Sequence, residues 1–476
     1  MGAYWERFDD DARRHASRLA VVTPEDRLSY DALRRRALAA AAEILHVSGS
    51  ARPCRVLISS RDPLAILEGV LGAWAAGAVP AVIHENTPAP LLARLARILR
   101  PVFSIHERLP ARAAAAAGSW SAGEVSPRAE GLVLTTSGTS GIPKLVALPH
   151  KSVLLNVGTI SATLSVREDD KFHLALPLSH AYGLISNALV ALLVGAEVHL
   201  FRPGTPPPVL QSGIRREEAT VIQGPPSFFR LFLAFWNGKP FPSVRVFTFG
   251  GERYSPELAA GLAGVFPQGQ GLTAYGLTEA GPRVSMLALS DPRQLRGGVG
   301  TPFPYLEWKL APVEGEDPRG AGELLLRGPS IMLGYLRPDG GYEGLDENGF
   351  LHTRDLVAAD AGGCLFLKGR LDSAFKVGGR IVHPQEVEAA LLSVPGIAEA
   401  LCRPEAHAML GNIVRADVVA AADATVTVAG IRAACAESLE PYKIPARIEF
   451  QASLPRTFTG KVSRAFAPAS SGSSAS

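Results

Sequence analysis

"TTSGTSGIPK" (residues 135–144) crowds three Thr, two Ser and two Gly ahead of a single Lys. Gly138 and Gly141 let the backbone turn its N–H groups inward, and Thr135, Thr136, Ser137, Thr139 and Ser140 add hydroxyls. That combination suits a polyphosphate, with Lys144 supplying a point charge beside it. A Ser/Thr/Gly-rich turn without a ligand is the competing reading of these residues alone. A Walker loop does not fit: in the frame G-x-x-x-x-G-K-[ST], Pro143 stands in place of the second Gly and Leu145 in place of the magnesium-binding hydroxyl.

Around this loop lie short apolar runs bounded by Gly, Pro or charge: "VLTTSG" (133–138), "KFHLALPL" (171–178), "AEVHLF" (196–201) and "VRVFTFG" (244–250). Such runs suit buried strands of a mainly parallel sheet. Between them lie helical patterns, such as "SYDALRRRALAAAAEIL" (29–45), which opens on Ser29 and keeps apolar residues three and four apart. The alternation predicts an α/β fold. Its expected form is a large N-terminal lobe of mainly parallel sheets flanked by helices, with a small mobile α+β C-terminal domain. The apolar stretches 69–83 and 183–196 are too short to span a bilayer and read as buried helices.

At 476 residues, two or three domains are expected. A boundary near "KGRLDS" (368–373) divides a large domain, 1–370, from a small lid domain, 371–466, and "APASSGSSAS" (467–476) reads as a disordered tail. "ARAAAAAGSWSAGEVSPRAE" (111–130) reads as a linker or loose helix. A net charge of +3, from 48 basic and 45 acidic residues with no basic stripe, points to small-molecule partners and away from nucleic acid. Four scattered cysteines, Cys54, Cys364, Cys402 and Cys435, fit neither a disulfide framework nor a zinc site. Buried thiols in a cytoplasmic protein, a monomer or homodimer without a membrane span or export signal, are expected.

The loop has company. "YGLTEAG" (275–281), "GELLLRGPSIMLGY" (322–335), "HTRDL" (352–356) with "GRLDSAFKVGGRIVHPQEVE" (369–388), and "PRTFTGK" (455–461) follow it in order. Together with the leading "LSYDALRRRA" (28–37), they resemble the motifs of adenylate-forming enzymes over nearly the whole chain. That superfamily comprises acyl- and aryl-CoA synthetases, peptide-synthetase adenylation domains and luciferases.

The resemblance implies that ATP and Mg²⁺ convert a carboxylic acid to acyl-AMP, and that a thiol, of CoA or of a carrier-protein phosphopantetheine, then takes the acyl group. It implies a phosphate loop formed by Thr136, Ser137, Gly138, Thr139, Ser140, Gly141 and Lys144. Glu279 matches the magnesium-associated glutamate, Thr278 the residue that bonds the α-phosphate, and Tyr275 a flat face for adenine. Gly251, Glu252 and Arg253 in "GGERYSPEL" (250–258) resemble the adenine-binding turn. Asp355 matches the acceptor of ribose hydroxyls, Arg370 the arginine that reaches ribose or phosphate, Asp372 the hinge, Gly379 the pantetheine tunnel, and Lys461 the lysine bridging carboxylate and AMP.

One departure stands out: the family's Thr-Gly-Asp reads Thr353-Arg354-Asp355 here. Arg354 could narrow the site, add a phosphate contact or point to solvent. The expected acid pocket comprises His180, Ala181, Tyr182, Phe228 and Gly276, with His180 either gating it or packing as a core histidine. "PLSHAYGL" (177–184) lacks the Asp that pairs with an α-ammonium in amino-acid-activating relatives, so an acid without an α-amino group, aryl or short to medium acyl, is expected. A non-catalytic nucleotide-binding protein is the reading from another class.

Overall fold

The computed structural model describes residues 3–48, 54–108, 126, 128–136, 143–251, 256–314, 320–421, 424–456 and 462. The expected phosphate-loop residues Ser137, Gly138, Thr139, Ser140 and Gly141, together with Glu252, Arg253 and Lys461, lie outside the described residues, as does the 467–476 tail. Two compact units emerge, and the chain passes from the first to the second between Leu367 and Lys368. Arg370 and Asp372 therefore both belong to the second unit.

Three sheets build the first unit. In the eight-stranded sheet, the strands Gln270–Tyr275, Val246–Gly250, Val221–Gly224, Lys171–Leu174, Glu197–Leu200 and Leu19–Val22 run parallel in that order, with antiparallel strands at both edges. Val246–Gly250 is buried at every position, as a strand covered on both faces requires. The seven-stranded sheet is parallel across Phe103–Ile105, Arg55–Ile58, Val79–Val82 and Glu130–Thr136, then turns antiparallel through Lys144–Pro149 and Gly334–Leu336. A five-stranded sheet, containing Gly322–Arg327 and Leu351–Ala359, adds antiparallel pairs.

The helix over 29–45 is observed as Tyr30–Ser48, and Ser29 Oγ accepts the Ala32 N–H at 3.1 Å as an N-terminal cap. The reading of 69–83 as one helix is corrected. Helix Pro63–Ala75 ends there, Gly77 turns the chain at φ 69°, and Val79–Val82 is a fully buried strand. A continuous apolar run carries no period that separates a buried helix from a buried strand. The 183–196 stretch is helical only to Leu192, with a π-helical turn over Leu184–Leu189. All four cysteines are buried and free. Among the described residues, no helix is long and apolar enough to cross a membrane.

The second unit packs helices Pro384–Leu392 and Val428–Ala436 with a three-stranded sheet, Ile397–His407, Gly411–Ala420 and Arg447–Phe450. Val387, Leu391, Val414, Val418, Ile431 and Cys435 form its core. A separate hairpin joins Phe375–Val377 to Arg380–Val382 through Gly378 and Gly379, at φ 55° and 82°. Two consecutive positive φ values are the signature of a tight two-residue hairpin, so backbone conformation by itself calls for glycine at both positions.

Arg354 also lies at positive φ, 62°, inside the strand Leu351–Ala359. The register against Gly322–Arg327 shifts there, a bulge whose N–H groups are met by side chains: Arg354 N–H donates to Glu323 Oε1 at 3.2 Å and Asp355 N–H to Thr353 Oγ1 at 3.1 Å. The side chain of Arg354 is 60% exposed. Of the three fates open to it, this conformation takes the solvent one, and the strain of an αL backbone explains why glycine suits the position. Arg354→Gly should accordingly be more stable than Arg354→Ala by about 1 kcal/mol, the reverse of the order in a regular strand, as read from chemical denaturation midpoints.

Candidate active site

The site in the first unit is organised by the turn that follows strand Gln270–Tyr275. Gly276 starts it because nothing else fits: a Cβ there would lie 1.8 Å from the Pro282 carbonyl oxygen. Thr278–Ala280 forms a single 3₁₀ turn, capped by Gly281 at φ 74°. Buried Asn156, on helix His150–Thr163, clamps the turn from beneath. Its Nδ2 donates to Ala280 O at 3.2 Å and its Oδ1 accepts Arg283 N–H at 3.0 Å. Met332 N–H donates to Glu279 O at 2.8 Å, tying the turn to the segment before Gly334–Leu336.

Three groups of side chains leave this turn. Tyr275 donates its hydroxyl to Asp355 Oδ2 at 2.5 Å, joining two of the residues expected to hold the nucleoside. Both are buried, and the bulge at Arg354 turns Asp355 into this position. Glu279 Oε1 accepts the Tyr335 hydroxyl at 2.8 Å, and Lys144 Nζ stands 4.3 Å from the centroid of the same ring. Sheet register explains that meeting: Tyr335 pairs with Val146, which puts Lys144 two residues along on the same face. Thr136 pairs with Lys144 across antiparallel strands, so the motif loop leads from strand to strand and not into the helix a Walker loop needs.

The third group is the expected acid pocket. The Tyr182 hydroxyl bonds Thr248 Oγ1 at 2.9 Å and Thr248 O at 3.1 Å, and burial pushes its pKa up. Arg283 stacks on the Tyr182 ring at 4.1 Å, and burial pulls its own pKa down. Phe228 packs edge-on against Phe229 at 5.1 Å and crowds Gly224, whose carbonyl also faces the Tyr182 hydroxyl at 3.4 Å. Ala181 is buried beside Tyr182. His180 is part-buried, its ring 5.4 Å from that of His84, whose pKa burial lowers despite Glu85 alongside. Glu85 accepts a hydrogen bond from Ser179 Oγ at 3.3 Å.

Gly251 has φ 85° and open space where a Cβ would stand. In the second unit, Arg370 forks onto Asp372 at 3.0 and 2.9 Å, and nothing lies within 4 Å of a Cβ built on Gly379.

Thus Lys144 with Glu279 and Tyr275 with Asp355 are brought together, while Tyr182 packs against Gly250 and beneath Arg283. Sequence reasoning passed over Tyr335, Asn156 and Arg283. Tyr335 closes a quoted motif and Arg283 follows another by two residues, so both were within reach; Asn156 carries no local signal.

A family model described as AMP-binding enzyme matches residues 8–336, and one described as AMP-binding enzyme C-terminal domain matches residues 386–461. The chain belongs to the AMP-binding enzyme family. It is an AMP-forming acid–thiol ligase of adenylate-forming type. Feruloyl-CoA synthase of Amycolatopsis sp is 31% identical over 341 residues, 70% of this chain and 68% of that protein. Among solved structures, ATP-bound MatB from Rhodopseudomonas palustris gives a TM-score of 0.84 at 25% identity, covering 97% of both chains. The fold is also that of the anthranilate CoA ligase AuaEII in complex with anthranoyl-AMP, with a TM-score of 0.86 at 23% identity, covering 97% of this chain and 95% of that one.

Two substitutions test the geometry of this ligase. Tyr335→Phe keeps the ring beneath Lys144 but takes the hydroxyl from Glu279. A hydrogen bond to a charged group of this kind should cost about tenfold in acid-dependent ATP–pyrophosphate exchange, with a raised magnesium requirement. Asn156→Leu strands Ala280 O and Arg283 N–H in the interior and should destabilise the first unit by roughly 2–4 kcal/mol, seen as a lowered unfolding midpoint.

Proposed function

We propose that the turn from Tyr275 to Arg283 presents the acid and the nucleotide to each other, and that the enzyme makes an acyl-AMP from a carboxylic acid without an α-amino group and passes the acyl group to CoA. The observation that carries this is the convergence of the Glu279 carboxylate and the Lys144 ammonium on the single ring of Tyr335. A carboxylate attacking a phosphate brings two anions together, so the site must supply positive charge and hydrogen-bond donors.

Glu279 fits a hard divalent cation: Tyr335 engages only Oε1, leaving Oε2 as an oxygen ligand. Bound there with phosphate oxygens, Mg²⁺ would neutralise charge on the leaving pyrophosphate. Lys144, with Thr136 and the hydroxyls and amides of residues 137–141, binds the phosphates. Thr278 donates to the α-phosphate. Asp355, fixed by Tyr275, accepts both ribose hydroxyls; the Gly251–Arg253 turn receives the base, and Arg370 reaches ribose or phosphate.

In the first half-reaction a carboxylate oxygen attacks the α-phosphorus and pyrophosphate leaves. Lys461 bridges the acid and the AMP oxygens as this bond forms. In the second, a thiolate attacks the acyl carbon and AMP leaves. Asp372 serves as the hinge between the two, and Gly379 borders the thiol's path. A buried guanidinium on Tyr182 supports the choice of acid, because it repels an α-ammonium in the same pocket. Four buried free thiols suit a reducing cytoplasm, which is the compartment we propose.

Lys461→Ala separates the half-reactions. It should abolish acid-dependent ATP–pyrophosphate exchange while keeping thioester formation from preformed acyl-AMP within about threefold of the parent enzyme. Equal loss of both would overturn the role given to Lys461. A pyrophosphate-release screen should rank aryl and acyl acids above α-amino acids, and CoA above a panel of carrier proteins as acceptor; the opposite rankings would refute the acid class and the acceptor respectively.

A further inference from the structure

Arg283 enters the reading above only by repelling an α-ammonium, yet it is 3% exposed. Burial weakens its hold on its proton, but a guanidinium stays charged at any working pH, so the charge remains inside and calls for a partner. Other arginines of this chain illustrate the usual solution, a carboxylate gripped by the edge that carries Nε and Nη2. Arg55 meets Glu130 in this way at 2.6 and 2.8 Å, and Arg370 meets Asp372 at 3.0 and 2.9 Å. On Arg283 those same two atoms have no hydrogen-bond partner among the described residues. Among the described residues no carboxylate forms an ion pair with it, and Tyr182 is the charged or titratable group that acts on it.

The orientation of the guanidinium is fixed. Its central carbon lies 4.1 Å from the centroid of the Tyr182 ring, whose hydroxyl is itself held in place. That hydroxyl meets Thr248 Oγ1 at 2.9 Å; Thr248 Oγ1 donates to Gln223 Oε1 at 3.0 Å, and Gln223 Nε2 donates to Ser186 O at 2.9 Å. Thr248 gives its proton to Gln223, so it accepts from Tyr182, and the ring beneath the guanidinium is thereby held. Asn156 holds the Arg283 backbone from the other side. A buried two-nitrogen fork thus lies on Tyr182, a residue of the expected acid pocket, while Gly276 packs against the Arg283 backbone.

We propose that the acid activated here carries a second carboxylate at its far end, and that Arg283 binds it side-on through Nε and Nη2 as a specificity-determining residue. The inference rests on the ligase reading, since it assigns the distal end of the acid whose near carboxylate that reading activates. It predicts a dicarboxylic acid as substrate. Monocarboxylic acids of equal length leave the buried fork unpaired and are rejected for that reason, not for their size.

The test uses straight-chain and aryl monocarboxylic acids, each paired with the dicarboxylic acid of the same skeleton. Two readouts are taken: acid-dependent ATP–pyrophosphate exchange, and equilibrium binding of each acid in the presence of a non-hydrolysable ATP analogue. The best dicarboxylate should exceed its monocarboxylate partner by about 100-fold in kcat/KM. In Arg283→Met that ratio should fall by about the same factor, with Arg283→Lys between the two because an ammonium lacks the fork. Monocarboxylates that equal or beat their partners on the parent enzyme would overturn the proposal, and this comparison decides it even if the variants fail to fold. Preferred binding of dicarboxylates without exchange would uphold the anion site and sink the ligase reading. Exchange with monocarboxylates and no preference for their partners would do the reverse.

Discussion

The side chains that leave the turn from Tyr275 to Arg283 depend on one steric constraint, the absence of a side chain at residue 276. The turn folds back so tightly that the Pro282 carbonyl occupies the space a Cβ would fill. That closure lets a few residues send Tyr275 toward Asp355, Glu279 toward Tyr335 and Arg283 toward Tyr182. A turn so tight leaves backbone groups buried without helix or sheet partners, and Asn156 supplies what they lack, donating on one side and accepting on the other. These side chains are therefore held by the backbone, which a fully buried amide braces from beneath.

The position of Asp355 has a comparable origin. One residue in left-handed conformation, at a bulge between Gly322–Arg327 and Leu351–Ala359, breaks the alternation of the strand and sets the aspartate where the Tyr275 hydroxyl reaches it. The motif this stretch resembles has glycine there; this chain uses Arg354 and accepts the strain, while Glu323 and Thr353 meet the amides that the bulge releases. From sequence, Arg354 could narrow the site, add a phosphate contact or point to solvent. In three dimensions it is a change in backbone energetics, with the side chain largely in solvent.

The α/β class was legible because strand-length apolar runs alternate with amphipathic helices, and the residues proposed to hold the nucleotide could be named because they cluster in short ordered motifs. Illegible features share a cause: they are set by register or by contacts distant in sequence. Lys144 meets Tyr335 only because Tyr335 pairs with Val146, and nothing in either stretch states that pairing. Asn156 sits in an unremarkable helix, 124 residues from the carbonyl it serves. The boundary at Ala75 failed for another reason: with both faces buried, the run from helix Pro63–Ala75 into strand Val79–Val82 shows uniform hydrophobicity, and only the φ of Gly77 marks the change. Arg283 could be read in the sequence, but its burial could not, and an arginine means little until its surroundings are known.

The two cations described along the acid–nucleotide axis differ in a way that suits different anions. Lys144 is exposed and rests on an aromatic ring, so its ammonium can swing over a phosphate chain whose charge is spread over many oxygens. Arg283 is buried and stacked on Tyr182, whose hydroxyl bonds Thr248, so its fork suits a planar group arriving edge-on. Exchanging the two side chains would fail at both ends: a lysine at 283 has no plane to stack or fork to offer, and a guanidinium at 144 would fix a geometry that a departing pyrophosphate has to leave. Recognition of the far end of the acid also changes what the pocket must do in shape. Where an unpaired buried charge rejects the wrong acid, the apolar walls around Phe228 need not fit one chain length closely, and discrimination passes from packing to electrostatics.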